Sequence, residues 1–106
     1  MSRYERGWRE KMIVLNVTYK CSPDRGRRFL EAIWTEKLDE ACRAEEGNIK
    51  YDYYYPVSET DEILLVEKWR DADALAKHME EPHFKRLGQI KEGFGIETVI
   101  EKYISE

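Results

Sequence analysis

Two stretches of this chain, MIVLNVTY (Met12–Tyr19) and EILLVEKW (Glu62–Trp69), carry apolar side chains at both odd and even positions. Successive side chains of a β-strand point to opposite faces, so Ile13, Leu15, Val17 and Tyr19 share one face and Met12 and Val14 the other. In the second stretch Ile63, Leu65 and Trp69 face one way, and Leu64 and Val66 the other. A sheet built from such strands is apolar on both sides and needs a covering layer on each.

The rest of the chain supplies one of those layers. Ser22 is placed to cap a helix, Pro23 suits its first position and Gly47 suits its stop. Between them Phe29, Leu30, Ile33, Trp34, Leu38, Ala41 and Cys42 form one broad stripe, which predicts a single long amphipathic helix with Trp34 in the core. IKYDYYY (Ile49–Tyr55) reads as a strand ending at Pro56, and the polar SETDE turn makes it a hairpin with EILLVEKW. Asp71 caps a second helix with Ala72, Leu75, Ala76 and Met79 on its apolar side. Pro82 interrupts it, and Phe84, Leu87 and Ile90 continue in a short helical piece. KEGFG is a loop, and IETVIEKYI closes as a strand.

The order is β-α-β-β-α-β, the ferredoxin-like α+β arrangement. It predicts one domain over residues 12–106, preceded by an extension, residues 1–11, whose Tyr4 and Trp8 are free to dock elsewhere. Two helices in this topology cover only one sheet face. A second copy of the chain is the simplest cover for the other, which predicts a homodimer.

Composition narrows the partners. The 106 residues are 42% hydrophobic and 38% charged with a formal net charge of -4, a balance that suits a folded domain and gives no electrostatic reason to expect nucleic acid. The basic RGRR run at Arg25–Arg28 reads as a solvated helix face. No apolar run reaches the roughly 18 residues of a membrane span, and no secretory signal opens the chain, so a cytoplasmic protein away from membranes is expected. Cys21 and Cys42 read as reduced structural thiols.

EEGNIKYDYY (Glu45–Tyr54) and LLVEKWRDADALAKHMEEPHF (Leu64–Phe84), in this element order, resemble the antibiotic biosynthesis monooxygenase superfamily, especially its small quinol-monooxygenase-like members. The most specific pieces are Glu67 with Trp69 and the later His78–Phe84 run. The resemblance covers nearly the whole chain after the extension. It implies a dimeric α/β barrel and oxidation of a small aromatic quinol or polyphenol by dioxygen, with no cofactor and no metal. Other branches degrade haem or isomerise a phosphorylated dicarbonyl of the autoinducer pathway. The position matching the haem-branch iron ligand is Gly88, which disfavours haem. The isomerase alternative would need Arg25, Arg27, Arg28 or Lys85 at the pocket, and a noncatalytic small-molecule-binding dimer is a third reading.

Cofactor-free oxidation needs a base, flat aromatic walls and a few hydrogen-bonding groups. His78 is the expected base, Trp69 a wall and Asn16 an orienting donor. Tyr51, Tyr53, Phe84 and His83 are the expected substrate-binding residues. Each also has an ordinary structural reading: Trp69 as a core cap, His78 as a satisfied buried histidine, His83 as a capping residue, Asn16 as a bridge across a dimer. Glu67 shares the face of Trp69 and is expected in a structural ion pair. His78 and His83 would stand about 140° apart on a continuous helix, and Pro82 breaks the helix between them, so a local two-histidine metal face is not expected.

Overall fold

The structure is a computed structural model that describes residues 11–57 and 61–105. Strand β1 (Ile13–Lys20) lies at the centre of a four-stranded antiparallel sheet ordered β2-β3-β1-β4. Its partners are β3 (Glu62–Trp69) on one side and β4 (Glu97–Ile104) on the other, and β2 (Asn48–Tyr54) adds to β3. This is the ferredoxin-like order expected. The sheet is open, with β2 and β4 as its edges. The expected extension, residues 1–11, lies outside the described residues except for Lys11, as does the turn at 58–60.

Strand parity holds in β1 and β3. Ile13, Leu15, Val17 and Tyr19 are buried on the helix-covered face, and Ile63, Leu65, Glu67 and Trp69 join them from β3. A register shift between Asn48 and Lys50 adjusts β2 so that Tyr51 stands opposite Glu67 and Tyr53 opposite Leu65. Val14, Leu64 and Val66 lie on the uncovered face. There β4 contributes Val99 and Tyr103, both exposed.

The long helix is two helices. Helix α1 (Pro23–Thr35) is capped by Ser22, whose Oγ accepts from the Arg25 N–H, and α2 (Leu38–Arg43) follows after Lys37 turns to a φ of 56°. Geometry demands the break. On a continuous helix Cys42 would stand about 180° from Ile33, yet both are fully buried. The break re-phases the chain so that Leu38 and Cys42 reach the core, while Trp34, expected there, is 49% exposed.

Helix α3 (Ala72–Glu80) opens at Asp71, whose Oδ1 accepts from the Ala74 N–H at 2.8 Å. Its buried side is Ala74 and His78 with Leu75 partly covered, whereas Ala72, Ala76 and Met79 face outward. The apolar pattern misplaced this face because alanines do not require burial. Helix α4 (Pro82–Gly93) restarts at Pro82 and buries Ile90. Among the described residues no helix is long and apolar enough to cross a membrane.

Candidate functional site

Alternation on β3 puts Glu67 and Trp69 side by side on the covered face, and the Trp69 indole N–H donates to Glu67 Oε1 at 3.0 Å. Burial pushes the Glu67 carboxyl up to about 7; the Trp69 bond opposes this and the nearby Glu45 charge adds to it. Among the described residues Glu67 is thus hydrogen-bonded to an indole, and its ion-pair partner within 4.0 Å is His78, charged only when protonated.

Helix α3 lays His78 across this pair. Its ring stands 4.5 Å from the Trp69 ring at a 33° tilt, with Phe84 edge-on at 5.0 Å and Tyr51 at 6.1 Å. His78 Nδ1 is 2.6 Å from Glu45 Oε2, and its Nε2 lies 4.0 Å from Glu67 Oε1. Burial lowers the imidazole pKa, with Glu45 opposing.

His83 reaches the same atom. Its Nε2 is 2.8 Å from Glu45 Oε2, and the two histidine rings are 6.2 Å apart. The expected separation of the histidines at Pro82 is therefore corrected. Because the chain turns at Glu81–Pro82, the two side chains converge on a third element instead of diverging around one helix. With the Glu45 carboxylate oxygen taken as the shared acceptor, both rings donate to it. That assignment makes His78 the Nδ1–H tautomer with a bare Nε2.

Gly47 sets this convergence. Its φ is 89°, its carbonyl accepts from the Arg70 N–H at 2.8 Å, and it lies directly against Ala74. The α2–β2 connection is thereby pressed onto α3, bringing Glu45 beneath His78. Cys42, one turn before Glu45, completes the group. Burial pushes its thiol up to about 12, opposed by a hydrogen bond with Tyr51 and reinforced by nearby acidic side chains.

A model of the family described as antibiotic biosynthesis monooxygenase matches residues 12–89. The chain belongs to this family. It is similar to the Bacillus subtilis protein YcnE, 38% identical over 74 residues that cover 70% of this chain and 76% of that protein. Among solved structures it resembles a Bacteroides thetaiotaomicron protein with a TM-score of 0.79 and 28% identity, covering 90% of this chain and 98% of the other. A Methanosarcina mazei protein shares the fold at a TM-score of 0.81 and 24% identity, covering 97% and 99% of the two chains.

Of the residues named from the family resemblance, the structure brings together Trp69, His78, His83, Tyr51 and Phe84. Tyr53 is beside them, its ring 5.9 Å from Tyr51, and its buried hydroxyl has no partner of hydrogen-bonding geometry among the described residues. Burial raises the pKa of both phenols. Asn16 is not brought to the cluster. Its even position in β1, paired with Val66 and Glu101, turns it to the uncovered face. Glu45 was given no individual role by the sequence, and Cys42 only that of a reduced structural thiol on the apolar stripe. The signal was present in EEGN and in the three-residue step from Cys42 to Glu45, but it needed the partner elements to acquire meaning.

An open hollow of about 360 Å³ lies at the opposite end of β3, lined by Lys20, Cys21, Ser22, Asp61 and Glu62. It is separate from the histidine cluster.

Proposed function

We propose that this chain is a cofactor-independent monooxygenase for electron-rich phenols of the quinol class, working as a homodimer. The observation that supports the chemistry is His78, buried against Trp69 with Nδ1 2.6 Å from Glu45 Oε2; with Glu45 as acceptor, Nε2 is the nitrogen left to accept a proton. A carboxylate-oriented imidazole is a suitable acceptor for a phenolic proton. The phenolate then donates electrons to dioxygen directly. In the overall reaction a quinol and dioxygen give a hydroxyquinone and water, one oxygen atom entering the ring and the other leaving as water. Tyr51, Trp69 and Phe84 supply apolar walls, and Phe84, 36% exposed, with His83, whose side chain is 16% exposed, forms the rim where substrate enters in this reading.

The isomerase alternative has less support. Arg27 and Arg28 pair with Asp24 on the exposed side of α1, and Arg25 and Lys85 are exposed. The dimer reading rests on Val14, Leu64, Val66, Val99 and Tyr103, an apolar set on the sheet face that no described helix covers.

Oxygen uptake with a panel of quinols and polyphenols tests the activity. The wild-type chain consumes dioxygen, and labelled dioxygen places one labelled atom in the product. His78→Ala lowers the rate by about 100-fold or more, the scale of a lost general base. No uptake with any substrate, or full activity in the variant, overturns the assignment.

A further inference from the structure

We propose that Cys42, Glu45, His78 and His83 form a binding site for a divalent d-block metal ion, zinc being the best match. One ligand atom from each residue lies within 4.8 Å of all the others. They arrive from different elements: Cys42 near the end of α2, Glu45 just beyond it, His78 on α3 and His83 in the first turn of α4. This is a convergence in space that no local motif produces.

The donor set selects the metal class. Two imidazoles, a thiolate and a carboxylate suit zinc and its neighbours, whereas calcium and magnesium take oxygen ligands. Bonds of about 2.0–2.3 Å in a tetrahedron separate the donors by roughly 3.3–3.8 Å. The two Glu45–histidine contacts, at 2.6 and 2.8 Å, therefore open by roughly 0.5–0.8 Å, and a pair at the 4.8 Å limit closes by about 1 Å or slightly more.

Charge and surroundings favour an occupant. A thiolate and a carboxylate together neutralise a divalent ion, so the filled site buries no net charge. On binding, the Cys42 S–H bond breaks, a metal–sulfur bond forms and one proton leaves to solvent. The metal takes His78 Nδ1, and the displaced proton is re-sited on Nε2, which faces Glu67 Oε1 at 4.0 Å. Glu67, itself fixed by the Trp69 N–H, is then the outer carboxylate of a carboxylate–histidine–metal relay. His83 Nε2 binds in the same neutral form, with its proton on Nδ1.

This inference goes beyond the proposed oxidation and does not depend on it. A metal on Nδ1 leaves His78 without the free lone pair that a proton acceptor needs, so the occupied and proton-accepting forms exclude each other. Binding is therefore measured without substrate, and oxygen uptake is measured separately on the metal-free chain. Either can fail while the other stands.

The full chain, stripped with a chelator, is titrated with Zn²⁺ by calorimetry and with Co²⁺ by absorption. One ion per chain is expected, with tetrahedral cobalt bands and a thiolate-to-cobalt charge-transfer band. Cys42→Ser removes the charge-transfer band, while Cys21→Ser, the control, retains it. His83→Gln, at the rim and least disruptive to folding, weakens binding by about 100-fold, and Glu67→Gln by roughly 10- to 100-fold. Absence of stoichiometric binding to the folded wild-type chain overturns the site. So does binding that survives both Cys42→Ser and His83→Gln unchanged, or a charge-transfer band that follows Cys21.

Discussion

Gly47 and Ala74 are packed so closely that a β-carbon on Gly47 would lie 2.6 Å from the Ala74 β-carbon. The contact is between the α2–β2 connection and α3, and the placement of Glu45 under His78 depends on it. Gly47→Ala is expected to fail twice, through its φ of 89° and through the clash. Left-handed backbone costs about 1–2 kcal/mol and overpacking about 1–3 kcal/mol, for a total of about 2–5 kcal/mol. Thermal unfolding would register this as a fall of roughly 8–40 °C, given about 4–8 °C per kcal/mol in a domain of this size. A shift below a few degrees would mean that the connection can withdraw from α3 at little cost.

Asp71 caps α3, and its carboxyl is held below the usual aspartate value by the Ala74 N–H, with Arg70 also contributing. Asp71→Ala is expected to cost about 1 kcal/mol near neutral pH. A folded-state pKa below the unfolded one adds stability above the unfolded value and loses it as pH falls through the folded one. The gap between wild type and Asp71→Ala should therefore narrow below about pH 4, the ordinary range of aspartate. Urea unfolding at several pH values measures it. A gap that widens in acid contradicts the assignment.

Glu67 works in the opposite sense. Its folded-state carboxyl is raised from 4.5 to about 7, so the folded chain holds a proton that the unfolded chain releases. Stability is retained in acid and declines as pH rises from about 4.5 through 7. Glu67→Gln keeps an acceptor for the Trp69 N–H and removes the ionisation. Measured with chelator present, it is expected to gain up to about 3 kcal/mol on wild type between pH 4 and pH 8. A constant difference across that range would show that Glu67 titrates normally.

The uncovered sheet face gives a prediction about assembly. Val66 lies on it opposite Asn16, away from the histidine cluster. Val66→Glu is expected to convert a dimer into a monomer in light scattering and to leave metal binding intact. A wild-type monomer at micromolar concentration would remove the basis for the homodimer.

These cases also mark how far the sequence could be read. Strand parity placed Glu67 and Trp69 on one face, because two-residue periodicity is a property of the backbone of a regular strand, whereas Tyr51 joins that face beyond the register shift in β2. Helix phase did not transfer as well. The stripe from Phe29 to Cys42 spanned too wide an arc for one helix, and only the turn at Lys37 reconciles Ile33 with Cys42. On α3 the cap and the Gly47–Ala74 contact accompany a buried side of Ala74 and His78, and not the Ala72, Leu75, Ala76 and Met79 stripe. Glu45 was harder to foresee. It lies 33 residues from one histidine and 38 from the other in sequence, and its role exists only once three elements have packed.

Strand β4 is an edge with apolar side chains on both faces: Val99 and Tyr103 on one, Ile100 and Ile104 on the other, all exposed. Such a strand is a ready template for indiscriminate strand addition. Glu97, Glu101 and Lys102 interrupt it, and a foreign strand laid alongside would have to bring matching charges in register. The charges therefore restrict which strands this edge can accept, although its backbone is open to pairing.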